Sequence, residues 1–129
     1  MNTRDLGKIG EAFAAEYLEN KGYRILGRNV YVSHCEIDVL AESDTHILFT
    51  EVKTRREFPD HTDRYGRPGT AVNAVKKASL IKGASLWISR NREILGNRQP
   101  RIDVVEVYLS PLDGALLSVR HIENAVRRT

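Results

Sequence analysis

The feature that most constrains the fold of this chain is a pair of strand-like segments, residues 36–42 and 46–54, separated by the turn Ser43-Asp44-Thr45. Successive side chains of a strand point to opposite faces. In the second segment the apolar residues occupy both alternating sets of positions: Leu48 and Val52 in one set, Ile47 and Phe49 in the other. Strands of this kind are covered on both faces. The pair therefore predicts a β-hairpin inside a sheet that has helices on either side.

Helices and further strands are predicted around this hairpin. Residues 3–21 carry an apolar stripe at three- and four-residue steps, and Gly22 follows as a helix terminator. A second apolar stripe predicts a helix over residues 70–90. Strands are predicted at residues 23–32, 101–109 and 115–122, and residues 55–69 are predicted to form a loop. The order predicts an α/β fold with a central mixed sheet flanked by helices.

Length and composition narrow the class of protein. A chain of 129 residues fits one domain, residues 1–129, with 41% hydrophobic residues. No apolar run approaches the roughly 18 residues that suggest a membrane span, and residues 1–8 lack the apolar stretch of a signal peptide. A cytoplasmic location is therefore expected. The single cysteine, Cys35, excludes an internal disulfide framework and a multi-cysteine zinc site.

The charge balance favours polyanionic partners weakly. The net charge is +3 at pH 7 and the isoelectric point is about 9.2. Arginine, whose planar fork suits phosphate, outnumbers lysine fourteen to six. Candidate nucleic-acid contacts are Arg55, Arg56 and Arg64 of the loop and Lys76 of the second helix. An ordinary soluble basic protein would explain the charge equally well.

The candidate catalytic group begins with the triplet Glu51-Val52-Lys53. Roughly 0.8 acid-x-lysine triplets are expected by chance in this composition, and Glu19-Asn20-Lys21 is a second copy. The setting distinguishes the first copy, because residues two apart on a strand share a face. If the hairpin turns on Asp44-Thr45, positions whose numbers sum to 89 lie opposite each other. Asp38 then faces Glu51 with their Cβ atoms about 5 Å apart.

That arrangement predicts metal-dependent phosphodiester cleavage. Two adjacent carboxylates repel each other unless a cation or a proton lies between them, and Mg²⁺ or Mn²⁺ prefers oxygen ligands. We expect Asp38, Glu51 and the carbonyl of Val52 to bind the metal, and Glu11 of the first helix to add a ligand through water. Lys53 would position or activate the attacking water. A shift of the turn by one residue would move Asp38 to the other face.

Simpler interpretations remain open for each of these residues. Asp38, Glu51 and Lys53 could form a solvent-facing charged cluster, and Glu11 could be a helix-surface acid. Lys76 could be an ordinary surface lysine. Asp103 is interpreted as a structural partner. Cys35 is not favoured as a nucleophile, because the sequence places no partner base for it.

An ordered set of short motifs gives a family resemblance. The motifs are Gly7-Lys8-Ile9-Gly10-Glu11, Gly22-Tyr23-Arg24-Ile25-Leu26, Arg28-Asn29, Glu36-Ile37-Asp38, Phe49-Thr50-Glu51-Val52-Lys53-Thr54-Arg55, Ala71-Val72 with Lys76, and Arg101-Ile102-Asp103-Val104-Val105. Together they resemble the YraN-like family of small bacterial proteins over residues 7–122. The chain departs from that family at Cys35, where glycine is usual, and at Ile102, where a bulky aromatic residue is usual.

The resemblance carries expectations about fold and activity. The YraN-like family resembles nucleases of the restriction-endonuclease-like fold, including archaeal Holliday-junction resolvases. The implied site residues are Glu11, Asp38, Glu51 and Lys53, the implied cofactor is Mg²⁺ or Mn²⁺, and the implied substrate is DNA, including branched DNA. Lys76 matches a family lysine. A homodimer would suit a two-fold symmetric junction.

Two alternatives from other functional classes stay open at this point. A non-catalytic nucleic-acid-binding protein could keep the same fold, as the basic balance and the arginine-rich loop would allow. A protein-interaction adaptor could also keep the fold, although the intact set of carboxylates and lysine argues against decay of the site.

Overall fold

The computed structural model describes residues 2–59 and 74–127. In chain order the elements are α1 (Thr3–Asn20), β1 (Arg24–Val32), β2 (Cys35–Glu42), β3 (His46–Arg55), α2 (Ala74–Arg90), α3 (Arg92–Leu95), β4 (Gln99–Leu109) and β5 (Leu116–Val126). All of the predicted strands are present, and so are the predicted helices, the second of them from Ala74 onward. Residues 60–69 of the predicted loop and residues 70–73 of the predicted helix lie outside the described residues. The short helix α3 was not predicted, because four residues are too few to show a helical period.

The five strands form one mixed sheet with the spatial order β1-β2-β3-β4-β5. Neighbouring strands are antiparallel except for β3 and β4, which are parallel. A parallel pair needs a crossover connection, and α2 lies in the segment between β3 and β4. This confirms the prediction of an α/β fold with a central mixed sheet flanked by helices.

Each face of the sheet is covered by one long helix. Ala14 and Leu18 of α1 pack with Leu48 and Val52 of β3 in one apolar cluster. The other face carries Leu80, Ala84 and Trp87 of α2, packed with Ile47 and Phe49 of β3. The two alternating sets of β3 therefore face different helices, as the sequence pattern predicted. Fully burying a side chain of this size contributes about 1.5–3 kcal/mol.

The ends of α1 follow the local sequence. The side chain of Asn2 caps the start by accepting a 2.9 Å hydrogen bond from the N–H of Asp5. At the other end Gly22 adopts φ +101°, a conformation that glycine adopts without steric cost. The N–H of Tyr23 then donates to the carbonyl of Leu18 at 3.0 Å, which closes the helix. Gly22 is thus the terminator that the sequence predicted.

The hairpin register is the predicted one. Four pairs join β2 to β3, and the numbers of each pair sum to 89: Val39 with Thr50, Leu40 with Phe49, Ala41 with Leu48, and Glu42 with Ile47. The paired ladder ends at Val39 and Thr50. Asp38 and Glu51, which would form the next pair, lie just beyond it.

Asp103 has the structural role that the sequence indicated. Its carboxylate is fully buried and accepts hydrogen bonds from Arg101 at 2.9 Å, from His121 at 2.7 Å and from the backbone N–H of Asn124 at 2.9 Å. These contacts hold the pKa of Asp103 below its ordinary value, although burial acts in the opposite direction as the largest single influence. The network joins β4 to the end of β5, which extends four residues beyond the predicted end.

Within residues 2–59 and 74–127, none of the helices combines the length and apolar character that a bilayer span requires.

Candidate metal centre

Asp38 lies at a local distortion of the sheet. In a regular strand, residues two apart face the same side, yet Ile37 packs with the α2 cluster and Val39 with the α1 cluster. On β1 the residue opposite Asp38 is Asn29, which adopts φ +51° between the regular pairs Arg28–Val39 and Val30–Ile37. The regular alternation of side chains between the two faces of the sheet is therefore interrupted at this position.

The distortion turns the Asp38 side chain towards β3. Its Oδ2 atom accepts a hydrogen bond of 2.9 Å from the backbone N–H of Val52. The side chain thereby takes the place of the ladder pair that would come after Val39 and Thr50. This is why Asp38, only 6% exposed, ends the hairpin ladder instead of facing solvent.

Three carboxylates converge at this point. Glu11 of α1 and Glu36 and Asp38 of β2 each offer an oxygen, and these oxygens all lie within 4.8 Å of one another. Glu11 is held by Asn29, whose Nδ2 donates to Glu11 Oε1 at 3.0 Å. The three groups could hold a metal ion, and carboxylate oxygens are the ligands that Mg²⁺ and Mn²⁺ prefer.

Gly10 allows α1 to approach the sheet next to this group. A Cβ atom at Gly10 would lie 1.7 Å from the Oγ1 atom of Thr54 on β3. No side chain fits there without movement of the helix or the strand. The glycine therefore sets how closely the following residue, Glu11, is presented to β2.

The surroundings of Asp38 disfavour its negative charge. Burial is the main cause that raises the pKa of Asp38 to about 8, and the negative charge of Glu51 and a hydrogen bond with Glu36 raise it further. The N–H of Val52 acts in the opposite direction. The pKa of Glu36 is lowered by hydrogen bonds, first from Asp38 and then from the hydroxyl of Tyr31. Asp38 therefore favours its protonated form at neutral pH, and a cation would compete with that proton.

Glu51 is also buried, at 3% exposed, but it has different neighbours. Lys53 Nζ lies 3.6 Å from Glu51 Oε1 and Lys76 Nζ lies 3.3 Å from Glu51 Oε2. Within the described residues, Oε2 accepts no hydrogen bond, and Glu51 is not among the three acids whose oxygens converge. The burial of Asp38 and Glu51 rules out a solvent-facing cluster for these two residues.

The structure thus brings most of the predicted site residues to one region. Asp38 and Glu11 share the acidic group. Glu51 is near enough for its charge to raise the pKa of Asp38, and Lys53 and Lys76 each contact Glu51. The N–H of Val52 contacts Asp38, which positions the main chain at the residue whose carbonyl was predicted to bind metal.

The predicted arginine contacts have other surroundings. The Nε atom of Arg55 donates to the buried Glu106 at 3.1 Å. Arg56 is exposed. Arg64 lies outside the described residues.

Sequence reasoning missed Glu36 and Asn29. Glu36 stands two residues before Asp38 on a strand, so its spacing alone could have placed the two acids on one side. Asn29 gave a weaker signal: asparagine is depleted in strands but tolerates positive φ, so its position inside β1 indicated an irregular strand.

The site passes a chemical test for a divalent cation. Its three donors are carboxylate oxygens within 4.8 Å of one another, and one of them, Asp38, has a pKa that burial and neighbouring charge raise to about 8. Buried acids in this state are stabilised when a cation replaces the shared proton.

Comparisons with known proteins place the chain among uncharacterised bacterial proteins. A model of the uncharacterised protein family UPF0102 matches residues 10–107. A UPF0102 protein of Symbiobacterium thermophilum is 46% identical over 125 residues, which is 95% of this chain and 97% of that protein. A UPF0102 protein of Caldanaerobacter subterraneus is 38% identical over 125 residues, 97% of each chain.

Among solved structures, the chain is similar to Pyrococcus furiosus SfsA in complex with Ca²⁺, with a TM-score of 0.41 and 22% sequence identity. The similarity covers 98% of this chain and 65% of the SfsA chain.

Proposed function

The chain belongs to the UPF0102 family of uncharacterised proteins, and on that premise we propose, from its acidic site, that it is a metal-dependent endonuclease hydrolysing phosphodiester bonds of DNA. The observation that carries the proposal is the convergence of Glu11, Glu36 and Asp38 within 4.8 Å, beside the Glu51–Lys53 pair. Membership of the family defines the relatives of the chain, and the chemistry follows from these side chains.

Mg²⁺ or Mn²⁺ would be held by Asp38 with Glu11 and Glu36, and Glu51 and the carbonyl of Val52 are the nearby predicted ligands. A divalent cation bound here supplies a Lewis acid for the phosphate and lowers the pKa of water. Asp38 must lose its proton first, and its pKa of about 8 means that metal binding competes with protonation near neutral pH.

The lysines beside Glu51 supply the positive charge of the site. Lys53 carries its ammonium 3.6 Å from Glu51, where it can donate hydrogen bonds to the attacking water or to a phosphate oxygen. Lys76 offsets the buried charge of Glu51 from the opposite side at 3.3 Å. A fixed ammonium at a centre of developing negative charge favours the transition state over the ground state.

Branched DNA is the finer part of the proposal. A four-way junction offers two equivalent bonds for cleavage, which a homodimer could reach simultaneously. Light scattering of the protein alone and with junction DNA tests the dimer, and a monomer in both samples would remove it from the proposal.

The direct test compares DNA cleavage with and without a divalent cation. Labelled single-stranded, duplex and four-way-junction DNA is incubated with the purified protein in Mn²⁺, Mg²⁺ or EDTA. We expect cleavage only with metal, and a loss of at least about a hundredfold in Asp38→Asn and Lys53→Ala, in line with the removal of groups that act on the transition state. Glu19→Gln, an exposed acid of α1, is the matched control. Full activity of Asp38→Asn or Lys53→Ala would refute the proposal.

Metal binding can be measured without cleavage. Calorimetric titration with Mn²⁺ should give one site in the wild type and much weaker binding in Glu36→Gln, with Glu19→Gln unchanged. Normal binding in Glu36→Gln would remove that residue from the ligand set, and wild-type protein without any Mn²⁺ binding would contradict the metal-dependent mechanism.

A non-catalytic nucleic-acid-binding protein is the second candidate. The observation favouring it is the neutralisation of Glu51 by Lys53 and Lys76, which leaves Glu51 outside the three-acid group within the described residues. Binding that weakens steeply with salt, is indifferent to metal and is never accompanied by cleavage would select this alternative.

A further inference from the structure

A cavity of about 430 Å³ opens beside the three carboxylates, and Glu11 and Glu36 form part of its wall. The remaining lining comes from the first half of α1 and from β1: Arg4, Gly7, Lys8, Asn29 and Tyr31. Its volume lies in the range of small-molecule sites. The cavity is therefore contiguous with the proposed metal centre but is built largely from other side chains.

Two cations line this cavity from a single helical face. Arg4 and Lys8 are four residues apart on α1, so they are neighbours on its surface, and both are exposed. Neither forms an ion pair with another residue in the described part of the chain. Glu11 follows Lys8 by three residues on the same face. One face of α1 thus carries the two cations Arg4 and Lys8, followed by the carboxylate of Glu11.

An aromatic ring completes the lining. Tyr31 is 67% exposed and pairs with Glu36 across the β1–β2 ladder, and the neighbouring Glu36 carboxylate raises the pKa of Tyr31. The ring therefore lies beside the acidic group and remains open to the cavity and solvent. An exposed aromatic ring beside cations is the combination with which proteins bind single-stranded nucleic acid.

Gly7 lies between Arg4 and Lys8 in the sequence and lines the cavity without close protein neighbours. A Cβ atom built at Gly7 meets nothing within 4 Å, although Gly7 lines the cavity. The helix surface here offers room for a ligand instead of packing against the protein.

We propose that this cavity receives the nucleotide adjacent to the cleaved bond, with Arg4 and Lys8 binding its phosphate and Tyr31 stacking on its base. The inference rests on the proposed nuclease function and adds a substrate class to it. A base can stack on Tyr31 only when it is neither paired nor stacked inside a duplex. The site therefore selects DNA with an unpaired nucleotide at the cleavage point, as in single strands, flaps and branch points, over intact duplex.

The test measures DNA binding in EDTA, so that it does not depend on catalysis. Fluorescence anisotropy is recorded with a labelled single strand and with a blunt duplex of the same sequence. We expect Tyr31→Ala to weaken binding of the single strand by about 5- to 100-fold, Tyr31→Phe to bind within about twofold of the wild type because the ring is retained, and the blunt duplex to respond little to either change.

The cations give a separate signature. Arg4→Ala and Lys8→Ala should each weaken binding and reduce the slope of log affinity against log salt by about one. Lys82→Ala and Arg92→Ala, exposed cations of α2 and α3, should change neither quantity. Circular dichroism verifies that each variant is folded, and single-strand binding by folded Tyr31→Ala or Arg4→Ala equal to the wild type would overturn the proposal.

Failure of this inference can be separated from failure of the nuclease function. Cleavage by the wild type together with unchanged binding in the Tyr31 and Arg4 variants would refute the nucleotide site and leave the nuclease intact. Weakened binding in these variants without any cleavage by the wild type would support the site and refute the hydrolysis. A wild-type protein that binds neither oligonucleotide in EDTA or Ca²⁺ would refute the nucleotide site.

Discussion

The carboxylate of Asp38 accepts a hydrogen bond of 2.9 Å from the backbone N–H of Val52, the residue that separates Glu51 from Lys53. The contact joins two strands at the position where their regular ladder ends. It also aligns the main chain of the Glu51-Val52-Lys53 triplet with the acidic group. One side chain therefore both completes the backbone hydrogen bonding and contributes a ligand oxygen to the candidate metal centre.

Asp38→Asn should increase the stability of the metal-free protein at alkaline pH. The folded-state pKa of Asp38 is raised to about 8, so the folded protein retains a proton that the unfolded chain releases near pH 4. Stability associated with this proton is fully present below the unfolded pKa, is lost progressively as the pH rises from about 4 to about 8, and stays lost above that. Asparagine cannot ionise and preserves the acceptor for Val52.

The expected gain in the free energy of unfolding is about 1 kcal/mol at pH 5 and grows to at most roughly 5 kcal/mol at pH 9, because the two pKa values differ by about four units of about 1.4 kcal/mol each. Urea unfolding in EDTA at pH 5, 7 and 9 measures it. Asp44→Asn, at an exposed acid, should show a nearly constant difference above pH 5. A gain for Asp38→Asn that is independent of pH would contradict the assigned pKa.

Lys76→Ala should destabilise the protein more than Lys77→Ala. Lys76 lies 3.3 Å from a buried oxygen of Glu51. Without Lys76, Lys53 is the one of these two lysines that still contacts the Glu51 carboxylate. We expect a loss of about 1–2 kcal/mol in the free energy of unfolding, because a buried charge loses part of its compensation. Lys77 is exposed on the same helix and should stay within about 0.5 kcal/mol of the wild type. Urea unfolding at pH 8 in EDTA compares them, and equal effects would show that the ion pair does not matter for stability.

Gly10→Ala should be strongly destabilising, whereas Gly7→Ala should not. A Cβ at position 10 would lie 1.7 Å from Oγ1 of Thr54, so α1 would have to move away from β3. A loss of about 2–3 kcal/mol is expected from overpacking.

Gly7 is the control within the same helix. A Cβ there meets nothing within 4 Å, and the higher helix propensity of alanine should stabilise the protein by about 0.5–1 kcal/mol. Thermal unfolding of both variants gives the comparison. A Gly10→Ala protein as stable as the wild type would show that α1 is free to shift.

Asp103→Asn should destabilise the fold without altering metal affinity. The fully buried carboxylate is bonded to Arg101 and His121, and breaking a buried charge network of this kind costs about 3–5 kcal/mol. The pKa of Asp103 is lowered in the folded state, so its contribution is present above the unfolded pKa and is lost as the pH falls through the acidic range. The difference from the wild type should therefore shrink below pH 4.

Urea unfolding from pH 3 to pH 8 tests this, with Glu16→Gln, at an exposed acid of α1, as the control. A difference that remained constant down to pH 3 would show that the ionised carboxylate is not the cause. A parallel titration with Mn²⁺ should give the wild-type affinity in the folded fraction.

Local pattern was sufficient for most of the fold. The two alternating apolar sets of β3 predicted a sheet with helices on both faces, and Leu48 and Phe49 do pack against different helices. The position of the turn predicted the register, and Val39 lies opposite Thr50 as expected. Both results follow from the two-residue period of side chains along a strand, which can be read from neighbouring residues in the sequence.

The candidate site was predictable only in part. Glu11, Asp38, Glu51 and Lys53 were singled out by spacing and by family resemblance, and the structure brings them to one region. A regular hairpin would have placed Asp38 opposite Glu51. The structure instead turns Asp38 towards Val52 and groups it with Glu36, because a change of face at Asn29 and Asp38 interrupts the alternation.

The sequence by itself determined the elements, the strand register and the acids available for chemistry, since periodicity, turn residues and composition act locally. Tertiary structure decided which carboxylates converge. Glu11 comes from a helix that Gly10 brings close to β3, and Lys76 reaches Glu51 from the helix on the opposite face. Burial, the property that raises the pKa of Asp38, arises only when both helices cover the sheet, and no short stretch of sequence carries that information.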